Sequence, residues 1–257
     1  MRHAANNAPN GNGDGEEIAP SSLRGRLCEV FFSAVLSEMI DPLMHRLGDK
    51  AELDDPVFGA AAKVEPLHAR LNDWKRFLLE RDATYDRTIT IVGADRDVTE
   101  GTIDLRTGEN HATLPIALLM ERRREREVAL RVYCATSPLG AKPKGPTHGA
   151  PPESTGTIPI VAADFLAALG KRDAEAVAAC FEQESSVRDA LGAEHARDAA
   201  ARLLASSGPL VVYGVADNGQ VCALEVSLGN ESKRLGLLVL ARGDSGLIRS
   251  LRIYSET

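Results

Sequence analysis

Two short stretches of the chain place a carboxylate in similar local settings. In ELDDPVFG (residues 52–59) Asp55 follows Leu53 by two positions and shortly precedes Gly59. In SVRDALGA (residues 186–193) Asp189 follows Val187 by two and shortly precedes Gly192. Side chains alternate along a strand, so each Asp shares a face with the aliphatic residue before it. If that face is the inner one, the carboxyl group leaves water. Desolvation disfavours the charged form, raises the pKa and makes the group a better proton acceptor. An Asp beside Pro or Gly also has an ordinary use, accepting hydrogen bonds from the backbone of a turn. Both uses stay open for Asp55 and for Asp189.

The segments around the two aspartates have matching layouts. Phe31, Val35, Met39 and Leu43 recur at helical spacing, and Pro42 predicts that this helix breaks and restarts. In the second half, Gly170 and Asp173 divide VAADFLAALGKRDAEAVAACF into two short helices, with Asp173 as an N-cap. A helix beginning His-Ala-Arg follows each Asp, at 68–79 and at 195–205. Strands are then expected near 87–93, 97–106, 111–121 and 127–135. Their counterparts are expected near 210–217, 220–228, 232–241 and 247–255. The last strands read LRVY (130–133) and LRIY (251–254). Landmarks in the same order predict an internal repeat in which Asp55 and Asp189 are equivalent. The first copy is longer, in part through AAAKVEP (60–66).

The 257 residues, 44% hydrophobic and 26% charged, fit two globular domains, and an aromatic content of 4% means an aliphatic core. A net charge of −7 disfavours nucleic acid and anionic membranes, both of which are held by Lys and Arg on phosphates. Residues 1–22 carry no hydrophobic leader and are expected as a disordered tail. The Pro-, Gly-, Ser- and Thr-rich stretch 137–157 is expected as a linker between domains at 23–136 and 158–257. Cys28, Cys134, Cys180 and Cys222 lack metal-ligand spacing and read as buried apolar residues of a reducing, cytoplasmic protein. No metal or cofactor is expected, and no phosphate-cradling or nucleophile motif is present.

The stretch DAEAVAACFEQESSVRDALGA (173–193) resembles the SnoaL-like polyketide cyclase and ketosteroid isomerase-like branch of the NTF2-like superfamily. There a short helix beginning at Asp runs into a strand that carries a pocket Asp. ELDDPVFG resembles that strand motif more closely, Pro included, and GLIRSLRIYSE (246–256) resembles the last strand. The resemblance implies an α+β fold of two cone-shaped domains in tandem, each with N-terminal helices packed on a curved antiparallel sheet. It implies an internal pseudo-dimer through the exposed sheet faces, with further homo-oligomerisation left open. It also implies a small hydrophobic molecule as ligand, with Asp55 and Asp189 as acid/base residues.

Phe31, Phe32, Phe58, Trp74 and Tyr85 are expected to line the first pocket and Phe165 the second. In the resembled isomerases a Tyr of the first helix and an acid of the third strand hold an oxyanion. The matching positions here are Phe165 and Leu238 in the second copy, and Phe31 or Phe32 and the neighbourhood of Ile116 in the first. None can donate a hydrogen bond, so ketosteroid isomerisation itself is not expected. Two readings remain: an isomerase, cyclase or epoxide-opening enzyme, or a binding or assembly module with structural aspartates. The first pocket is favoured because its strand keeps the Asp-Pro pair and its expected lining is aromatic, and because Arg188, if it interacts with Asp189, would keep that carboxylate ionised. His68 and His195 read as solvent-facing or capping residues, and ERRRERE (121–127) as an exposed hairpin.

Overall fold

A computed structural model describes residues 20–37, 39–107, 110–123, 127–140, 156–227 and 235–255. Most of the expected tail and linker, at 1–19 and 141–155, lies outside the described residues. The first half contains α1 (Pro20–Leu36), α2 (Ile40–Leu47), β1 (Ala51–Asp54), β2 (Ala61–Ala62), α3 (Val64–Leu79), β3 (Thr84–Val92), β4 (Arg96–Thr107), β5 (Asn110–Arg122) and β6 (Val128–Cys134). The second contains α4 (Ile160–Gly170), α5 (Ala174–Ala179), β7 (Phe181–Arg188), β8 (Glu194–His195), α6 (Arg197–Ser207), β9 (Val212–Asp217), β10 (Val221–Ser227), β11 (Leu235–Arg242) and β12 (Ile248–Ser255). α1 therefore begins inside the stretch expected as tail. None of the described helices is long and apolar enough to cross a membrane.

The sheets run β2-β1-β6-β5-β4-β3 and β8-β7-β12-β11-β10-β9, the same order twice. Both are α+β units with their helices against one face of a six-stranded sheet. Neighbouring strands are antiparallel except β1 with β6 and β7 with β12, which run parallel. The expected helix break occurs, with Pro42 in the first turn of α2, where its missing N–H costs nothing. Met39 falls between the two helices and is 53% exposed, so it leaves the apolar stripe predicted for it. Asp173 caps α5 by accepting from Glu175 N at 3.1 Å and Ala176 N at 3.0 Å.

Register establishes which residues correspond. Leu53 and Asp54 pair with Leu130 and Arg131, and Val187 and Arg188 pair with Leu251 and Arg252. LRVY and LRIY thus occupy one position in the repeat, and Asp55 and Asp189 each follow at the next. His-Ala-Arg does not mark a position in the repeat. His195 lies in β8 opposite Val187, whereas Leu53 faces Ala61, and His68 lies inside α3. The extra length of the first copy includes the end of AAAKVEP, since Val64, Glu65 and Pro66 open α3. It lies partly in α3, with 16 residues against 11 in α6, and partly in the β4–β5 hairpin.

Alternation along the final strands separates two functions. Leu130 and Val132, and in the second unit Leu251, face the helices and belong to the two cores. Tyr133 and Tyr254 face the other way, into a third apolar cluster shared by both sheets, with Val98, Leu119, Leu237 and Val239. At its heart are two reciprocal clamps. Arg131 Nε and Tyr133 Oη each reach Glu225 Oε1 of β10 at 2.5 Å. Arg252 Nε lies 2.9 Å from Glu100 Oε2 of β4, and Tyr254 Oη 2.6 Å from it. Each LRxY strand therefore grips the glutamate of the other unit.

The interface is not fully symmetric. Arg96 and Glu121 pair across β4 and β5, where the second unit pairs Val221 with Ala241. Glu121 also accepts from Arg131 Nη2 at 2.9 Å, and Arg96 Nη1 donates to Tyr213 O at 2.7 Å. That last bond requires Gly214, because a Cβ there would sit 2.1 Å from Arg96 Nη1. Glu121 was expected in an exposed hairpin, yet it is buried. Residues 124–126 of that run lie outside the described residues.

Candidate functional site

Asp55 follows β1 directly and continues its inward face. It is 2% exposed, one step past the fully buried Leu53. Its Oδ1 accepts from Val57 N at 3.0 Å and Phe58 N at 2.7 Å, and Gly59 N donates to its carbonyl at 2.9 Å. The DPVFG turn therefore uses half of the carboxyl group. The other oxygen, Oδ2, is buried without a hydrogen-bond partner. Arg70 Nη1 lies 3.8 Å from it and donates to Gly59 O at 3.1 Å. Burial pushes the Asp55 pKa up to about 6, against the opposing pull of the Phe58 N–H, Arg70, the Trp74 indole and the Val57 N–H. Trp74 Nε1 and Arg70 Nε are themselves buried without partners.

The aromatic residues form two groups in the first unit. Phe58, Trp74 and Phe77 meet edge to face, with centroids 5.6–6.0 Å apart, and the Arg70 guanidinium lies 5.6 Å from the Phe58 ring. Phe58 and Trp74 of this group lie beside Asp55. Phe31, Phe32 and Tyr85 form the other, where α1 meets β3, with Phe32 and Tyr85 5.1 Å apart. Phe31 and Phe32 are each 2% exposed and belong to the core. The Tyr85 hydroxyl is buried without a partner and its pKa is raised, chiefly by burial. Gly101 makes room for that ring, since a Cβ would stand 2.6 Å from Tyr85 Cε2. Phe165 packs edge to face on Phe181 in the second core.

Asp189 occupies the equivalent position in a different environment. Its Oδ1 accepts from Leu191 N at 2.9 Å and Ala193 N at 3.0 Å, and its Oδ2 lies 2.9 Å from His195 Nε2. About a third of the side chain is exposed. Burial pulls its pKa up, but the hydrogen bonds from His195, Ala193 N and Leu191 N outweigh it, and the pKa is lowered. Arg188 pairs with Glu194 at 2.7 Å, so the ionised state of Asp189 comes from His195 and the turn. His68, in α3, meets Asp41 at 2.9 Å on the surface.

Sequence reasoning passed over Arg70 and Phe77. The signal was present, since Arg70, Trp74 and Phe77 fall at i, i+4 and i+7 on one stripe of α3. It also passed over Glu100, in the mixed strand β4, and Glu225, the one charged residue of the apolar strand β10. Among the described residues no three His, Cys, Asp or Glu side chains converge as a metal site.

No protein-family model and no curated protein matches the chain. Solved structures do. An NTF2-like protein of unknown function from Cytophaga hutchinsonii is 14% identical, with 40% of this chain and 94% of that one covered and a TM-score of 0.34. An epoxide hydrolase of M. tuberculosis described as LEH-like is 18% identical over 42% of this chain and 79% of its own, with a TM-score of 0.34. The epoxide hydrolase/cyclase-like enzyme SalBIII, of pyran ring formation in polyether salinomycin, is 11% identical over 44% and 91%, with a TM-score of 0.35. Each match is about the length of one unit.

Proposed function

We propose that the first unit binds a small, mostly apolar molecule beside Asp55, and that Asp55 exchanges a proton with it in an isomerase-, cyclase- or epoxide-opening-type reaction. One observation carries this reading. A carboxyl group with no exposed side-chain surface has one oxygen, Oδ2, without a donor at hydrogen-bond distance, with Arg70 Nη1 3.8 Å away and the Trp74 indole close enough to pull its pKa down. The turn amides fix the orientation of Oδ1, which leaves Oδ2 for a ligand. With a pKa of about 6, both protonation states are populated near neutral pH, which suits a general acid or base. Arg70 and the Trp74 indole could support negative charge forming on a ligand oxygen. The enolate-holding positions are apolar, which argues against ketosteroid isomerisation. The four free thiols fit the expected reducing, cytoplasmic setting.

A second reading has an observation of its own. Asp55 Oδ1 does hold its turn, and Phe31, Phe32 and Trp74 fill the core. In that reading the units form a binding or assembly module with structural aspartates. Asp189 fits this role in either case.

Turnover can be followed by proton NMR with two simple substrates, cyclohexene oxide for ring opening and 3-cyclohexenone for double-bond migration. Wild type and Asp189→Asn are expected to convert at least one of them at similar rates. Asp55→Asn should be slower by about 100-fold or more. Equal rates for Asp55→Asn and wild type would remove Asp55 as the acid/base. Inertness of the wild type toward both would favour the module.

A further inference from the structure

A cleft of about 360 Å³ opens in the first unit at the beginning of β1, the opposite end of that strand from Asp55. Its apolar walls are Leu27 of α1, Leu47 at the end of α2, Met120 of β5 and Val128 of β6. The volume is within the range of small-molecule pockets. The polar wall is formed by His45, Arg46, Asp49, Arg122, Arg123 and Glu127. Arg122 is committed to Asp97 and to the carbonyls of Gly93 and Ala94. Arg123 lies 3.2 Å from Glu52 and 3.6 Å from Glu121 through its terminal nitrogens, but its Nε is buried without a partner.

The same cleft recurs in the second unit, where it measures about 570 Å³. Val161 of α4, the end of α5 at Ala179 and Cys180, Arg242 of β11 and Leu247 before β12 form its walls. Arg242 stands where Arg122 does, as each pairs with the start of the last strand, at Ile248 and Val128. Each arginine binds an aspartate and a hairpin-turn carbonyl, Asp217 with Gly219 O in the second unit. Arg242 Nε is likewise buried without a partner. Different side chains thus rebuild one feature, a cleft with apolar and charged walls and a buried guanidinium N–H that lacks an acceptor.

We infer that the cleft of the first unit is a second ligand site, separate from Asp55, for a neutral apolar molecule presenting one acceptor oxygen, such as a lactone, ester or ketone. The acceptor satisfies the Arg123 Nε–H, and the apolar body covers Leu27, Leu47, Met120 and Val128. A charged head is disfavoured because the lining carries both signs. Arg46 and Arg123 oppose an ammonium group, while Asp49 and Glu127 oppose a carboxylate.

The test uses the full chain with its methionine methyl groups labelled with carbon-13, the Met120 signal being assigned through Met120→Leu. Three ten-carbon probes are compared, γ-decalactone, decanoate and decylammonium. The lactone is expected to shift the Met120 signal to saturation and to bind at least tenfold more tightly than either charged probe. Arg123→Lys keeps the charge and removes Nε–H, and should weaken lactone binding about fivefold or more. Val128→Trp fills the cleft and should abolish it. Asp55→Asn should leave it unchanged, which separates this site from the proposed reaction. The inference is overturned if Met120 does not respond up to the solubility limit of the lactone, if a charged probe binds as well, or if Asp55→Asn removes the effect.

Discussion

Asp55→Asn is expected to melt at a higher temperature than the wild type at pH 8, and Asp189→Asn at a lower one. The two residues hold equivalent positions, so their environments alone set the opposite signs. The Asp55 pKa is about 6 in the folded protein and 3.8 ordinarily. Between those values the folded state holds more protons than the unfolded state, so stability falls as pH rises. The contribution of Asp55 is fully present below 3.8 and is lost as pH passes through 6. Above that, the buried charge costs on the order of 3 kcal/mol, since each pKa unit is about 1.4 kcal/mol. Asn keeps the oxygen that accepts from Val57 N and Phe58 N but carries no charge.

For Asp189 the sign reverses. Its pKa is lowered, so its stabilisation is present above 3.8 and is lost as pH falls through the folded value. Scanning calorimetry of the three proteins at pH 4, 6 and 8 checks both signs. The gain for Asp55→Asn at pH 8 should be about 6–12 °C and should shrink toward pH 4. A less stable Asp55→Asn at pH 8 would make this carboxylate a structural ion. A residue that weakens the fold at working pH is what a site kept for chemistry looks like.

Glu225→Ala should have the largest effect on how the units hold together. The Glu225 side chain is fully buried and accepts from Arg131 and Tyr133 of the other unit. Removing it leaves a guanidinium that is 10% exposed and a phenol in an apolar interface. Breaking a buried pair in this way typically costs about 3–5 kcal/mol. Glu121 still binds Arg131 and limits the loss. Denaturant unfolding should show the midpoint falling, with the Tyr133 environment changing in the same transition. Replacing Arg131 and Glu225 together by Met should recover much of the stability, because two well-packed apolar residues can equal a buried ion pair. Full stability in Glu225→Ala would mean that the clamp adds nothing.

The fold was legible because its signals are local. Turn residues and alternating strands gave the strands to within a few residues, and Asp173 announced its helix. The repeat was legible through LRVY and LRIY, which turned out to carry the interface as well. His-Ala-Arg misled because three residues recur by chance, and only strand register could show that His195 faces Val187 while Ala61 faces Leu53. The site was half legible. Alternation correctly turned Asp55 inward with Leu53. It could not show that, of two turns following equivalent strand ends, the one at Asp55 is buried and the one at Asp189 is partly exposed beside His195. It also could not separate Phe31, Phe32 and Tyr85 from the aromatic group at Asp55, since that division depends on how α1 and α3 pack.

The central claim is that one of two equivalent aspartates has become a buried acid near neutrality while the other remains an ordinary turn carboxylate. Carboxyl carbon shifts of labelled aspartate, assigned through Asp55→Asn and Asp189→Asn and followed from pH 2.5 to pH 8, test it most directly. Asp55 should titrate near 6 and Asp189 below 3.8. An Asp55 that titrates at 4 or lower would contradict the account.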